Sequence, residues 1–221
     1  MDAAKQDLCQ ILRSGAEQLR LKLSETQLDT LLAYQALIDK WTRVYNLTAL
    51  RDPVEMLTHH LLDSMAAVAA LRHQQRMARV AQPARLLDVG SGAGLPGVVM
   101  AVCCPDAQVI CVDAVSKKSA FVKQAAAALR LPNLSGLHAR VETVSQPFDV
   151  IVSRAFASLA DFARLSRAAR APGGVWMAMK GKHPADELAE LPIDIEVFHV
   201  EQLTVPGLSA ERCIVWLRPL S

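Results

Sequence analysis

Aromatic side chains make up only 5% of this 221-residue chain, and no unbroken apolar run, Val98 to Cys104 included, exceeds seven residues. A bilayer-crossing helix needs about 20 apolar residues, so no membrane span is expected. Cysteine is also scarce. The five present (Cys9, Cys103, Cys104, Cys111, Cys213) form an odd set with no C-x-x-C pair. That excludes a disulfide framework or a zinc knuckle and fits a reducing cytoplasm. The first residues, Met1 to Asp7, include two acids and lead into no apolar core with a small-residue cleavage site, so no export is expected. Internal repeats and low-complexity stretches are absent. An excess of one charge is lacking too: 24 Lys and Arg face 22 Asp and Glu. The total conceals an asymmetry, because Lys117 to Lys182 carries +8 and His183 to Glu201 carries −6. A basic face suited to a polyanion, or helix faces whose charges cancel in space, would both produce it. With 52% hydrophobic and 21% charged residues, the chain has enough apolar surface to offset its ordering entropy and fold. Its length suits one large domain or a domain with a small appendage.

The first 72 residues read as helices. Leu8, Ile11, Leu12, Leu19 and Leu23 recur at helical spacing, and Ser24-Glu25-Thr26-Gln27 reads as an N-cap with Gln at the third helical position. The stripe Leu28, Leu31, Leu32, Leu37, Ile38, Trp41 predicts a helix ending near Tyr45-Asn46, and Asp52-Pro53 predicts the start of another running to about Leu71. Polar Arg72 to Pro83 reads as a linker, dividing a helical extension (1–75) from a second unit (80–221). In that unit, strand candidates Ala84–Val89, Gln108–Asp113, Leu134–His138, Phe148–Ser153 and Gly174–Met179 alternate with helices at Gly97–Cys104, Lys117–Leu131 and Leu159–Ala171. This alternation predicts an α/β fold with a parallel sheet covered on both faces. The last candidates, Ile193–Leu203 and Arg212–Leu217, are joined by Val205-Pro206-Gly207-Leu208-Ser209. That segment is too short for a helical crossover, so an antiparallel final strand is expected.

The strongest chemical signal is Asp88-Val89-Gly90-Ser91-Gly92-Ala93-Gly94-Leu95-Pro96-Gly97, a strand entering four glycines and then a helix. Glycines let such a turn approach a ligand with its N–H groups exposed. Two registers compete: Asp88-x-Gly90-x-Gly92-x-Gly94, which resembles an adenosylmethionine loop, and Gly92-x-Gly94-x-x-Gly97, a dinucleotide fingerprint. The first fits better, since Gly90 breaks the apolar run two residues before Gly92. Asp88 at the strand end would then face the charged amino-acid portion of the ligand, where a pyrophosphate would be repelled. Asp113, ending the next strand, is placed as a ribose-hydroxyl acceptor. Ser153-Arg154-Ala155-Phe156 stands where enzymes of exocyclic-amine methylation carry an Asn/Asp-Pro-Pro-aromatic tetrad, which disfavours that chemistry. Cys103, Cys104 and Cys111 fall in predicted core, which disfavours a cysteine nucleophile. Methylation of an already nucleophilic ring nitrogen remains, needing alignment and no general base. Arg140, Glu142, Arg154 and Lys180-Gly181-Lys182 lie at the carboxyl edge, where ligands of open α/β sheets bind. Neighbouring helical residues diverge by about 100°, so His59, His60 and Asp63 are not expected to hold a metal. Trp41 and Tyr45, four apart, read as a helix packing pair. A nicotinamide-dependent oxidoreductase and a non-catalytic RNA-binding module stay open as alternatives.

Taken together, Trp41-x-x-x-Tyr45-Asn46-Leu47-Thr48, Arg51-Asp52-Pro53, His60-x-x-Asp63-Ser64, the Asp88–Gly97 loop, Ser153-Arg154-Ala155-Phe156-Ala157, Lys180-Gly181 and Glu211-Arg212 resemble a known family. It is the bacterial small-subunit rRNA methyltransferase G, or glucose-inhibited division protein B, family. The resemblance implies a seven-stranded, Rossmann-like class I methyltransferase fold behind a helical extension. It implies methyl transfer from S-adenosyl-L-methionine to a guanine N7 of 16S rRNA, alone or in the small ribosomal subunit, with no obligate protein partner. Cofactor contacts map onto Gly90, Leu95, Val141, Glu142 and Arg154, beside Asp88, Gly92, Gly94 and Asp113 of the loop reading. Lys117, Arg140, Lys180 and Arg212 match basic positions suited to RNA, and Arg154 and Lys180 are the candidates to position the reacting base.

Overall fold

Local signals set the start of the second helix, α2 (Glu25–Tyr45), which comes after α1 (Ala3–Gln18). Ser24 Oγ accepts from Gln27 N at 3.2 Å, and Ser24 N donates to Gln27 Oε1 at 2.9 Å. This satisfies two donors that a helix start leaves open. Gln27 Nε2 also donates to Val102 O at 2.7 Å, so the cap docks the extension onto the helix α5 (Gly97–Cys103). The computed structural model describes residues 3–77, 79, 80, 82, 85–154, 156 and 158–220. Pro83 of the expected linker, Ala84 of the first strand candidate, and Ala155 and Ala157 of the Ser-Arg-Ala-Phe-Ala motif lie outside the described residues.

Asp52 caps α3 (Pro53–Met56), its Oδ1 accepting from Val54 N and Glu55 N, both at 2.9 Å. The helix expected to run unbroken to Leu71 is interrupted. A π-helical turn, Leu57–Leu62, intervenes, and α4 (Asp63–Arg76) then runs beyond Leu71 into the stretch read as linker. Two of the polar residues there share one partner: the Glu201 carboxylate bonds His73 Nδ1 at 2.9 Å and Gln74 Nε2 at 3.0 Å.

The strands are β1 (Arg85–Val89), β2 (Gln108–Asp113), β3 (Leu134–His138), β4 (Phe148–Ser153), β5 (Arg170–Lys180), β6 (Ile195–Leu203) and β7 (Arg212–Pro219). They form one sheet in the order β3-β2-β1-β4-β5-β7-β6. The last strand is antiparallel to both its neighbours, and the other adjacent pairs are parallel. Leu208 N donates to Val205 O at 3.0 Å and Gly207 takes φ +76° in the turn between β6 and β7, as expected of a hairpin. The remaining helices are α6 (Ser116–Ala128), α7 (Leu159–Ser166) and α8 (Ala185–Ala189), the last without a clear sequence signal. The seventh helix stops five residues short of Ala171: a 3-10 turn, Arg167–Ala169, follows it and β5 begins at Arg170, while buried Ser166 Oγ accepts from Trp176 Nε1 at 2.9 Å and joins the helix end to β5.

Two apolar clusters line the sheet. One unites Leu31, Tyr34 and Ile38 of the extension with Val98, Phe121, Val122 and Trp216, and the other holds Leu87, Ile151, Leu159, Phe162, Trp176 and Leu217. The helical extension therefore shares a continuous core with the sheet.

Candidate active site at the carboxyl edge of the sheet

The strand order reverses between β1 and β4, the switch point outside which open α/β sheets bind ligands. After β1 the chain turns through Gly90 (φ +66°) and Gly92 (φ +59°). A Cβ on Gly90 would meet nothing within 4 Å, and one on Gly92 only Gly90 O at 4.0 Å. The outer wall of the turn is thus an open cradle, of the kind a side chain would fill. The next two glycines serve packing: a Cβ on Gly94 would lie 2.5 Å from Val98 Cγ2, and one on Gly97 would strike Cys111 Sγ and Asp88. Asp113 holds the turn from β2, with Oδ2 accepting from Gly92 N at 3.0 Å and Oδ1 from Val115 N at 2.8 Å. Leu95 is buried where the loop enters α5.

Asp88 lies differently from the expectation of a ligand-facing acid. It is fully buried, its Oδ2 accepts from Gly97 N at 2.8 Å, and its Oδ1 has no hydrogen-bond partner. Burial pushes its pKa up to about 7 against the stabilising Gly97 N–H and the Arg154 charge. The carboxyl braces the loop against the start of α5. A second brace comes from a residue that the sequence places only in the extension: Tyr34 on α2, also fully buried, donates its hydroxyl to Ala93 O at 2.5 Å. Fifty-nine residues separate the pair, so no local pattern could announce it.

Two cavities open along this edge. The smaller, of about 180 Å³, is lined by Gly90, Asp113, Arg140, Val141, Glu142 and Phe156, among others. The larger, of about 400 Å³, is lined by Leu50, His59, His60, Asp63, Arg154, Met179, Lys180, Gly181 and Arg212. After β4, Arg154 lines the larger cavity and Phe156 the smaller. Its root is fixed by Ser153 Oγ, which donates to Val89 O at 2.9 Å.

Each of the charged side chains lining the larger cavity, Asp63, Arg154, Lys180 and Arg212, has a partner. Arg154 Nη1 donates to His59 O at 3.1 Å and lies 3.4 Å from Asp63 Oδ2, and Arg212 Nε donates to Asp63 Oδ1 at 2.9 Å. Lys180 Nζ sits 2.9 and 2.7 Å from the two Glu187 oxygens, one of which also accepts from Leu159 N at the start of α7. His60 Nε2 pairs with Thr48 Oγ1 at 2.9 Å, and burial together with the Arg154 charge lowers its pKa to about 4. Asp63, discounted as a metal ligand and otherwise marked by the His60-x-x-Asp63-Ser64 motif, is occupied by two guanidinium groups.

The basic residues expected to meet RNA therefore divide. Lys180 and Arg212 share the larger cavity, Arg140 lines the smaller, and Lys117 lies over the Tyr45 ring, 5.7 Å from its centroid. Trp41 packs on Tyr45 and edge-on against Phe121, as its helical spacing suggested. The acidic segment folds back in part on the basic one through Glu187–Lys180 and Asp194–Arg167. Cys103 and Cys111 are buried in the core and Cys104 is partly buried beside it: burial pushes the Cys103 thiol up to about 12 and raises Cys104 and Cys111 as well, far from a reactive thiolate.

A seven-stranded sheet of this order with an antiparallel last strand, a glycine turn after β1 and an acid ending β2 defines a class I methyltransferase fold. Solved structures share that fold: TrmN from Thermus thermophilus superposes with a TM-score of 0.56 at 24% identity, over 71% of this chain and 49% of that one. Coclaurine N-methyltransferase, bound to N-methylheliamine and SAH, gives 0.53 at 14% identity over 90% of this chain and 74% of its own. The family model described as GidB, rRNA small subunit methyltransferase G, matches residues 27–215. The ribosomal RNA small subunit methyltransferase G of Polaromonas naphthalenivorans (strain CJ2) is 67% identical over 221 residues, all of both chains. That of Acidovorax sp. (strain JS42) is 65% identical over 214 residues, 95% of each. The chain belongs to the GidB family of small-subunit rRNA methyltransferases.

Proposed function

We propose that the protein transfers the methyl group of S-adenosyl-L-methionine to N7 of a guanine in 16S rRNA. The observation that carries this reading is the pair of adjoining cavities at the switch point, one beside an open glycine cradle with acids and the other edged with cations. Family membership leaves the oxidoreductase and the non-catalytic module without support.

The cradle and the donor set fit the cofactor. Gly90 and Gly92 leave room for it, Asp113 and Glu142 supply acceptors for ribose hydroxyls, and Val141 supplies apolar surface for an adenine ring. When bound, the cofactor supplies a methyl group on a positively charged sulfur, which leaves as a neutral thioether. Guanine N7 carries an in-plane lone pair and no proton, so the protein needs no side-chain base; it must align the base and keep it dry. Arg154 and Arg212 offer N–H groups to the oxygen beside N7, since guanidinium groups pair readily with that edge of guanine. Lys180, tethered by Glu187, is placed for the base or its phosphate. The RNA is taken free or within the small ribosomal subunit, without an obligate protein partner, in the cytoplasm; no helix among the described residues is long and apolar enough to cross a membrane. Calorimetric titration with S-adenosylmethionine, S-adenosylhomocysteine and NADH tests the cofactor assignment. Heat from the first two and none from NADH is expected, and binding of NADH alone would overturn it.

A further inference from the structure

Asp63 is tied to two cations that line the same cavity from different strands, and the backbone around it is arranged to let this happen. Its side chain is 3% exposed. One oxygen takes Arg212 Nε from β7 at 2.9 Å, and the other lies 3.4 Å from Arg154 Nη1 beyond β4. The preceding turn is π-helical, and Asp63 N–H donates to the carbonyls of Thr58 and His60, passing over His59. The His59 carbonyl instead accepts from Arg154 at 3.1 Å. Such turns inside a helix recur at functional sites. Without the carboxylate, two guanidinium groups facing one cavity would repel each other and lose their shared anchor.

We propose that Asp63 is a positioning residue for the methyl-transfer reaction: it holds Arg154 and Arg212 in one fixed arrangement at the edge of the larger cavity, so that their remaining N–H groups converge on a single guanine. The inference rests on the proposed function for the identity of the base, not for the geometry. It makes the helical extension part of the site, since the carboxylate belongs to α4 while both arginines belong to the sheet unit. A buried charge pair of this kind is strongly disturbed when one partner is removed, and a side chain displaced from a reacting centre costs rate rather than ground-state affinity.

The test combines a mutant cycle with a measurement that needs no turnover. Asp63→Asn, nearly isosteric, should lower kcat by tenfold or more while S-adenosylmethionine affinity changes less than threefold. In an Arg212→Gln background the same substitution should cost clearly less than in the parent, because the part of its effect that runs through Arg212 is already lost and only the part through Arg154 remains. Full additivity of the two losses would overturn the proposal, as would an unchanged kcat for a folded Asp63→Asn. Should Asp63→Asn fail to fold, the parent still decides: Arg212 Nε–H, observed by nitrogen-resolved NMR of the free protein, should exchange with water at least tenfold more slowly than that of exposed Arg43. Equal exchange rates would overturn the proposal. A parent that methylates another atom refutes the N7 reading alone, since the cycle and the exchange rate are measured independently of product identity.

Discussion

The Tyr34 hydroxyl offers a sharp test of whether the helical extension shapes the cofactor loop. In Tyr34→Phe the aromatic packing against Phe121, with ring centroids 6.4 Å apart, is kept, and only the 2.5 Å bond to Ala93 O is lost. A buried carbonyl left without its donor costs about 1–3 kcal/mol. Two routes divide that cost. If the loop stays in place, the loss appears as lower stability, about 2–4 °C in melting temperature per kcal/mol for a chain of this size. If the loop shifts so that Ala93 O reaches water, the loss appears in cofactor affinity, up to about 5- to 140-fold at 1.4 kcal/mol per decade. The loop is held by short bonds elsewhere, at Gly92 N and Gly97 N, so both routes should contribute. The expected result is a melting temperature lower by several degrees together with a cofactor Kd raised at least threefold. Scanning calorimetry and titration calorimetry on the same preparation measure the two. A Kd unchanged within threefold would refute the reasoning that Tyr34 pre-shapes the loop, whatever the melting temperature does.

Gly92→Val should bind S-adenosylmethionine at least tenfold more weakly at a moderate cost in stability, because its branches enter the open cradle and its φ of +59° strains a β-branched residue, whereas Gly97→Val should chiefly unfold the protein, because its side chain strikes Cys111 and Asp88; melting curves and titrations of the two check this, and full affinity in a folded Gly92→Val would remove the cradle from the site. Asp88 should make the fold less stable as pH rises: its folded pKa of about 7 exceeds the ordinary value of 3.8, so the native state binds more protons between those values and stability is lost across that window. Asp88→Asn keeps an acceptor for Gly97 N and removes the penalty, so its advantage over the parent in urea unfolding should grow from pH 4.5 to 6.5, and an advantage independent of pH would contradict the assignment. RNA affinity should fall steeply with salt while cofactor affinity barely moves, and Lys117→Ala should flatten the log–log slope for single-stranded RNA by about 0.7, the contribution of one phosphate contact; an unaltered slope would leave Lys117 outside the interface.

What the sequence discloses about this fold is what short stretches of chain decide. The Ser24–Gln27 cap, the Asp52-Pro53 start and the glycine turn after Val89 each depend on residues within about four positions, and each forms as its pattern implies. The sheet arises from alternating segments, and its antiparallel last strand from a connection too short for a crossover. Errors gather where distant contacts override local texture. Polar His73 and Gln74 look like linker until Glu201 reaches them from 128 and 127 residues away, and Asp88 looks ligand-facing until Gly97 closes over it. The larger cavity is half legible. Arg154, Lys180 and Arg212 are marked by position or resemblance, and Asp63 by its place in the His60-x-x-Asp63-Ser64 motif, but its role as the anchor of Arg154 and Arg212 is not, because separations of 91 and 149 residues carry no periodic signal. Lys180 and Glu187 are only seven apart, yet the short helix between strands that carries Glu187 has too little pattern to be foreseen.

The central claim, transfer of a methyl group to a guanine N7 through aligned arginines without a base, is tested most directly by locating the methyl group. Unmethylated 16S rRNA or small subunits would be incubated with isotopically labelled S-adenosylmethionine and the protein, then digested to nucleosides and analysed by mass spectrometry against authentic standards. The expected product is a single labelled 7-methylguanosine per rRNA, with Arg154→Ala slowing its formation tenfold or more, each decade being about 1.4 kcal/mol of barrier. Label on an exocyclic amine or a carbon, or an unchanged rate for Arg154→Ala, would contradict the account.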